Sequence, residues 1–376
     1  MIMKKILYGL MAVALMTACQ NDDTDFSDYT NGTTSGISTI YITYNGSSVD
    51  VTGDSKGYVT TNCADVTVNA ENSTDSLLLV LSGSTTDGSL LVYRQQQYGI
   101  KLNGVSIKNN DGPAINNQCS KWLYLDVADG TTNTLTDGTS YTDIVVNGTT
   151  IDQKGCVFSE GQVYVKGTGN LAITGNCKHG FACDDYIVID DNVTLNVSST
   201  TGNGIKVNDG LWINNGTIGI SVTADAARGI KCDSVVVISG GSTTISTSGD
   251  CVYDTEVQDY SSAACIKCES QFTMTAGTLK LISSGDGGKG INCAADVVFS
   301  GGELIAKTTG SNDNGKPKAI KSDTGIIVSG GSFSAYVNKS WACDNGSESE
   351  EPADHITVKG SPKTQNITKK TVEITY

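Results

Sequence analysis

Short runs in which apolar and polar residues alternate, each stopped by Gly, Asn or Asp, fill most of this chain. From Gly180 onward they recur about every 25 residues, and the recurrence decides the fold. Gly204-Ile205-Lys206-Val207, Gly229-Ile230-Lys231-Cys232, Cys265-Ile266-Lys267-Cys268, Gly290-Ile291-Asn292-Cys293 and Ala319-Ile320-Lys321-Ser322 open successive units. Within a unit Ile230 and Cys232 fall on one side and Lys231 and Asp233 on the other, the period of two that a strand requires. Val236 and Ile238 repeat the pattern, Gly240-Gly241 makes a turn, and Thr243 and Ile245 form a third inward face before Gly249-Asp250. Three strands and about 25 residues per coil predict an all-β, right-handed parallel β-helix, each coil bonded to the next about 4.8 Å away. A propeller blade needs roughly 40 residues or more.

Composition agrees: 43 Gly and only 4 Pro in 376 residues, with Thr, Ser, Asn and Val abundant, suit strands and tight turns. Each coil of a solenoid touches only its neighbours, so residues 37–376 are expected to form a single domain. The repeat breaks over residues 37–60 and again from Ile356 to Tyr376, where caps are expected. The first residues are a targeting segment instead. Lys4-Lys5, the apolar run Ile6 to Met16 and Leu15-Met16-Thr17-Ala18-Cys19 resemble a bacterial lipoprotein signal, with a signal peptide over 1–18 and a lipidated Cys19. The run is too short for a permanent membrane span, so the lipid is the expected membrane anchor. Gln20-Asn21-Asp22-Asp23-Thr24-Asp25 then resembles a tag for export to the outer face of the outer membrane, that is, the cell surface. The alternative is a plain solvated linker over 19–36.

Twelve cysteines in an exported chain raise the question of disulfides. Cys183, Cys232, Cys268 and Cys293 fall on the inward position shared by Val207 and Ser322, which predicts a stacked column of small, reduced core residues. Parallel neighbours point the same way rather than at each other. Cys265-x-x-Cys268 has no matching second pair, and the chain has 2 His, so a zinc site is not expected.

Candidate chemistry lies on the outward side. Lys206, Lys231, Lys267 and Lys321 form one column, and Asp184, Asn208, Asp233, Glu269 and Asp323 another two residues along. Like charges stacked 4.8 Å apart repel by about 3.5 kcal/mol at an effective dielectric near 20, so the two columns either neutralise each other or the lysines meet the carboxylates of an acidic polysaccharide. A second acidic line, Asp225, Asp250 and Asp286 with Asp313 nearby, marks the turn before each coil. Asp184, Asp233, Asp250, Asp286 and Asp323 are the candidate ligands for calcium, which prefers hard oxygens; ordinary turn chemistry is the alternative. A net charge of −15 disfavours nucleic acid and anionic membrane surfaces. Neutral glycans need aromatic platforms, and Trp122, Tyr124 and Trp212 sit opposite inward residues. Trp212 shares its outward column with Val188, Val237, Val298 and Ile327, an apolar stripe that reads as a ligand surface, a self-association face or a strip under a loop.

The middle of the chain carries a resemblance. Leu102-Asn103-Gly104-Val105-Ser106-Ile107, Asp111-Gly112-Pro113-Ala114-Ile115-Asn116, Ala128-Asp129-Gly130 through Asp137-Gly138, Phe158-Ser159-Glu160-Gly161-Gln162, and Lys178-His179-Gly180 followed by Asp184-Asp185-Tyr186-Ile187 resemble, in order, the bacterial carbohydrate-binding domain family of calcium-carrying parallel β-helices. The resemblance implies a pectate-lyase-like architecture, bound calcium, and binding to plant cell-wall polymers such as cellulose or polygalacturonate. The chain departs from the family's Asp-Gly-Ile line, with Asn203-Gly204-Ile205, Arg228-Gly229-Ile230 and Lys289-Gly290-Ile291 in its place, which implies fewer ions. Two other classes compete: a calcium-dependent polysaccharide lyase using Lys231 or Lys267 beside Asp233 or Glu269 as base, and a structural surface spacer or adhesin.

Overall fold

Alternating β-branched and small polar residues interrupted by Gly and Asp disfavour helices, and the described residues fold almost wholly as strands. The computed structural model describes residues 36–146, 148–311 and 314–376. The expected signal peptide, the expected lipidation site Cys19, the expected linker apart from Gly36, and Asp313 lie outside them. The strands wind into a right-handed parallel β-helix of about 11 turns with about 25 residues per turn.

One coil illustrates the rest. Arg228–Cys232 lies on the first face, Val235–Ile238 on the second and Ser242–Thr247 on the third. In the next coil Ala264–Cys268, Phe272–Met274 and Thr278–Ser283 pair with them in parallel, Ile230 against Ile266, Val236 against Phe272 and Ile245 against Leu281. The inward residues Ile230, Val236, Ile238 and Ile245 are fully buried, and each such aliphatic side chain contributes about 1.5–3 kcal/mol. The second and third faces belong to one sheet because Ser76–Thr85 and Tyr98–Lys108 run across the corner between them. Gly83 makes that bend possible: its φ is +79°, and a Cβ there would stand 2.2 Å from the carbonyl oxygen of Tyr44.

The predicted inward column is present. Asn117, Ser159, Cys183, Val207, Cys232, Cys268, Cys293 and Ser322 are successive register partners, and all eleven described cysteines are free thiols. Cys268 donates to the Cys293 sulfur at 3.2 Å, and Cys293 to the Ser270 carbonyl at 3.1 Å. Parallel strands thus stack the thiols without joining them.

Antiparallel pairs interrupt the winding. Ile37–Asn45 with Ser48–Thr52 stands at the start, and Thr364–Ile367 with Thr371–Thr375 at the end, the latter strand lying antiparallel on Ser332–Val337. Reversing direction withholds the parallel edge that a further coil would extend. Two insertions interrupt the period: residues 137–154, which carry the small pair Val145–Val146 and Thr149–Thr150, and the hairpin Val252–Asp254 with Asp259–Ser261.

Candidate functional site: an aromatic strip on the second face

On the second face Tyr124, Tyr164, Val188, Trp212, Val237, Thr273, Val298 and Ile327 are successive register partners pointing outward. Trp122 and Tyr186 belong to the adjacent outward column, on either side of Gln162. Five rings from four consecutive coils meet there. Trp122 lies 5.7 Å from Tyr124 and 5.1 Å from Tyr186, the latter edge-on; Tyr124 lies 5.9 Å from Tyr164; Tyr186 meets Trp212 edge-on at 5.7 Å. Such tilted and edge contacts suit the ring quadrupoles. With strands about 4.8 Å apart, the four coils carry the rings along about 14 Å. Trp122, Tyr124, Tyr164 and Tyr186 are half-buried, whereas Trp212 is 8% exposed. Its indole lies down over Gly210, where a Cβ would come within 2.6 Å of the ring. Val188, Val237, Val298 and Ile327 keep the column apolar and half-exposed beyond it.

The predicted Trp122, Tyr124 and Trp212 are thus brought into one strip, together with Tyr164 and Tyr186, which the sequence reading did not single out. Val163-Tyr164-Val165 repeats the pattern of Leu123-Tyr124-Leu125, but the insertion at 137–154 stretches the spacing and hides the match. Tyr186 is two residues before Val188 and so shares its side of the strand.

Polar groups border the strip. Gln162 donates to Asp185 at 2.6 Å, the Tyr164 hydroxyl to Asp190 at 2.7 Å, and Lys101 pairs with Asp126 at 3.2 Å. Burial, and then the neighbouring Asp209 carboxylate, push the Asp185 carboxyl up to about 6. Burial lowers the Lys166 ammonium from its ordinary value.

The lysine column is also present on the first face, Lys206, Lys231, Lys267, Asn292 and Lys321 in register, but its charges are met. Lys206 pairs with Asp233 at 2.6 Å, Lys231 with Asp233 at 3.6 Å, Lys267 with Glu269 at 2.9 Å and Lys321 with Asp323 at 2.6 Å. The two columns neutralise each other, and the Lys206 bridge, reinforced by Lys231, holds Asp233 below the usual carboxylate range despite partial burial. Exposed pairs of this kind contribute about 0.2–1 kcal/mol. Replacing Lys231 and Lys267 together with Ala is therefore expected to shift stability by about 1 kcal/mol or less in urea unfolding and to leave retention by a neutral glycan unchanged. Lost retention would move the site to the first face.

The candidate calcium ligands separate into three settings. Asp250 and Asp286 belong to a corner ladder: Asp225 accepts the Asp250 N–H at 2.8 Å, Asp250 the Asp286 N–H at 2.7 Å, and Asp286 the Ser311 N–H at 2.6 Å. Each carboxylate fastens the next coil. Asp233 and Asp323 carry the lysine bridges. Asp184 alone converges with other carboxylates, Asp152 and Glu160, with ligand atoms within 4.8 Å of one another. The Lys154 ammonium already bridges Asp152, at 2.7 Å, and Asp184. The donor set at Asp152, Glu160 and Asp184 fits a hard cation only if Lys154 moves aside. Where the family's Asp-Gly-Ile line was expected, His179 accepts the Asn203 N–H at 3.0 Å and Asn203 the Arg228 N–H at 2.9 Å. Lys289, 7% exposed, donates to Ser262 and, at 2.9 Å, to the Gly315 carbonyl. Burial, and then the nearby Lys206 and Lys231 charges, lower His179 to about 4; burial, and then the Lys321 and Lys318 charges, lower Lys289 to about 8. Neutral and cationic donors take this corner, so calcium does not fit there. Asp250→Ala, which strips the acceptor from Asp286, is expected to cost about 1 kcal/mol in urea unfolding, equally with and without chelator; a cost that vanishes in chelator would place a metal at the turn.

The fold and the strip define a parallel β-helix with an aromatic platform on one face, and sequence comparison gives its family. The chain matches the family described as "Carbohydrate-binding domain-containing protein" over residues 62–234 and 220–315, more than half its length, and belongs to that family. A relative of the same description from Acetivibrio thermocellus is 28% identical over 123 residues, 31% of this chain and 42% of the relative, so the match spans about two-fifths of that protein. Among solved structures, the polysaccharide lyase-like protein from C. thermocellum, a gadolinium derivative, superposes with a TM-score of 0.56 at 23% identity, covering 69% of this chain and 96% of the other. This likeness supports the fold.

Proposed function

We propose that this protein is a non-catalytic polysaccharide-binding lipoprotein that lays a glycan chain along the aromatic strip of its second face. The observation that carries the reading is the contact of Trp122, Tyr124, Tyr164, Tyr186 and Trp212 across four consecutive coils, with four of the rings half-exposed. Sugar rings present apolar faces that stack on aromatic side chains, and a strip of several modest contacts holds a linear polymer by avidity. A non-catalytic role fits the lysines that a β-elimination would use as base, because Lys231 and Lys267 are tied into ion pairs. The family resemblance makes plant cell-wall polymers, cellulose or polygalacturonate, the first candidates. The signal and Cys19 support anchoring by lipid in the outer membrane, facing the cell surface. Calcium, where it takes part, is assigned to Asp152, Glu160 and Asp184. Affinity electrophoresis through gels containing soluble cellulose derivatives, other neutral glucans or polygalacturonate, each with calcium or chelator, tests the reading. Retardation by at least one polymer is expected, and free migration through all of them would sink it.

A further inference from the structure

The charges bordering the strip divide the candidate polymers. Asp185 ends the turn that leads into Tyr186, the ring held between Trp122 and Trp212. Gln162, from the preceding coil, donates to the Asp185 carboxylate at 2.6 Å, a neutral partner that leaves its charge in place. On the following coil Asp209 occupies the equivalent turn position, its N–H bonded to the Asp185 carbonyl at 2.9 Å. Lys121, exposed beside Trp122, holds the equivalent turn position two coils earlier; the charged groups closer to Asp185 are matched or are negative as well. Asp184 is bridged by Lys154, Lys206 is held by Asn208 and Asp233, and Glu160 is raised by burial and by Asp184. On the far border Asp190 accepts from Tyr164 and Asn214, and Asp126 is met by Lys101.

We propose that the strip accepts an uncharged polysaccharide and rejects polyuronates, and that Asp185, backed by Asp209, is the specificity-determining residue. This rests on the strip being the glycan site and refines which polymer it takes. A uronate residue stacked on Tyr186 brings its carboxylate to a border whose nearest fixed charges are two unbridged aspartates, Asp185, half-buried where water screens poorly, and the exposed Asp209. A neutral sugar instead offers hydroxyl donors, which a carboxylate accepts in charge-assisted hydrogen bonds. The lysine column of the first face is spent on Asp233, Glu269 and Asp323, and on the second face Lys101 is paired with Asp126, which leaves Lys121 and Lys166 as the cations bordering the strip, neither of them on the Tyr186 coil. The Asp185 carboxyl is raised by its burial first and by the neighbouring Asp209 charge second.

The test compares gel retardation in hydroxyethylcellulose, a neutral polymer, and in polygalacturonate, with chelator present to remove cation bridging. At pH 7.5 the wild-type protein is expected to be retarded by the neutral gel and to bind polygalacturonate at least tenfold more weakly. In Asp185→Asn the ratio of polygalacturonate to neutral-polymer affinity rises at least tenfold. Wild-type protein moved from pH 7.5 to pH 5 shows a rise in the same ratio, which keeps the proposal testable should the variant misfold. Equal wild-type affinity for both polymers, or a ratio unmoved by both the variant and the pH change, overturns the selection by Asp185 while leaving the strip as the site. Free migration of the wild type in both gels removes the glycan site and this inference with it.

Discussion

Replacing Trp122, Tyr164 and Tyr186 together with Ala is expected to weaken glycan retention about 100-fold or more while the protein stays folded. Truncating central Trp and Tyr contacts at binding surfaces commonly costs 2 kcal/mol or more for a residue that dominates, and about 1.4 kcal/mol corresponds to a factor of ten. The three rings come from the first, second and third coils of the strip, so their removal leaves Tyr124 and Trp212 three coils apart with no ring between them. Stability suffers less, because the rings are half-exposed and each ring pair contributes about 0.5–1.5 kcal/mol. Affinity electrophoresis with thermal unfolding as a control reads both effects. Retention within threefold of wild type in a folded variant would show that the strip is not the site.

Raising the pH from 7.5 to 10 under reducing conditions is expected to destabilise the protein by several kcal/mol. Burial pushes the thiols of Cys232, Cys265 and Cys343 from an ordinary value of 9.0 up to about 12. A group whose folded value is raised contributes stability that is fully present below its unfolded value and is lost as pH rises toward the folded one. Each of the three thiols then costs about 1.4 kcal/mol by pH 10, and Cys156 and Cys183, pushed up further by burial, act in the same direction. Lys289 opposes them. Its folded value, lowered to about 8 from 10.5, means that the unfolded chain holds the proton more tightly, so stability rises by about 2 kcal/mol between pH 8 and 10. Five thiols outweigh one lysine. Urea unfolding at the two pH values measures the balance. Cys232→Val, matching Val207 one coil away in the column, should reduce the alkaline loss by about 1.4 kcal/mol, and Lys289→Met should deepen it. An unchanged midpoint at pH 10 would mean that these thiols are not buried as described.

The coil was legible because strand alternation and the 25-residue period reinforce each other: Ile230, Ile266 and Ile291 declare the same inward position, and Cys232, Cys268 and Cys293 the same column. Register followed from period. Legibility failed where that period was broken. The insertion at 137–154 separated Tyr164 from Tyr124 in sequence though they are neighbours in the sheet, and the strip was read as three rings instead of five. The polar sites failed for another reason. Sequence shows that Asp250 is a carboxylate, but the N–H of Asp286 that it accepts belongs to the next coil, and only the folded corner reveals that the oxygen is engaged. Lys231 and Asp233 were placed in adjacent columns correctly, whereas the balance between self-neutralisation and ligand capture depended on side-chain distances of the folded face.

The central claim is that a glycan meets the second face at the aromatic strip. The chain has 3 Trp, and two of them, Trp122 and Trp212, lie in the strip, whereas Trp341 stacks on His355 and lies under Lys369. Indole N–H resonances of 15N-labelled protein titrated with a soluble neutral oligosaccharide should therefore move for Trp122 and Trp212 and stay fixed for Trp341. Saturable binding that leaves the Trp122 and Trp212 resonances in place would contradict the account.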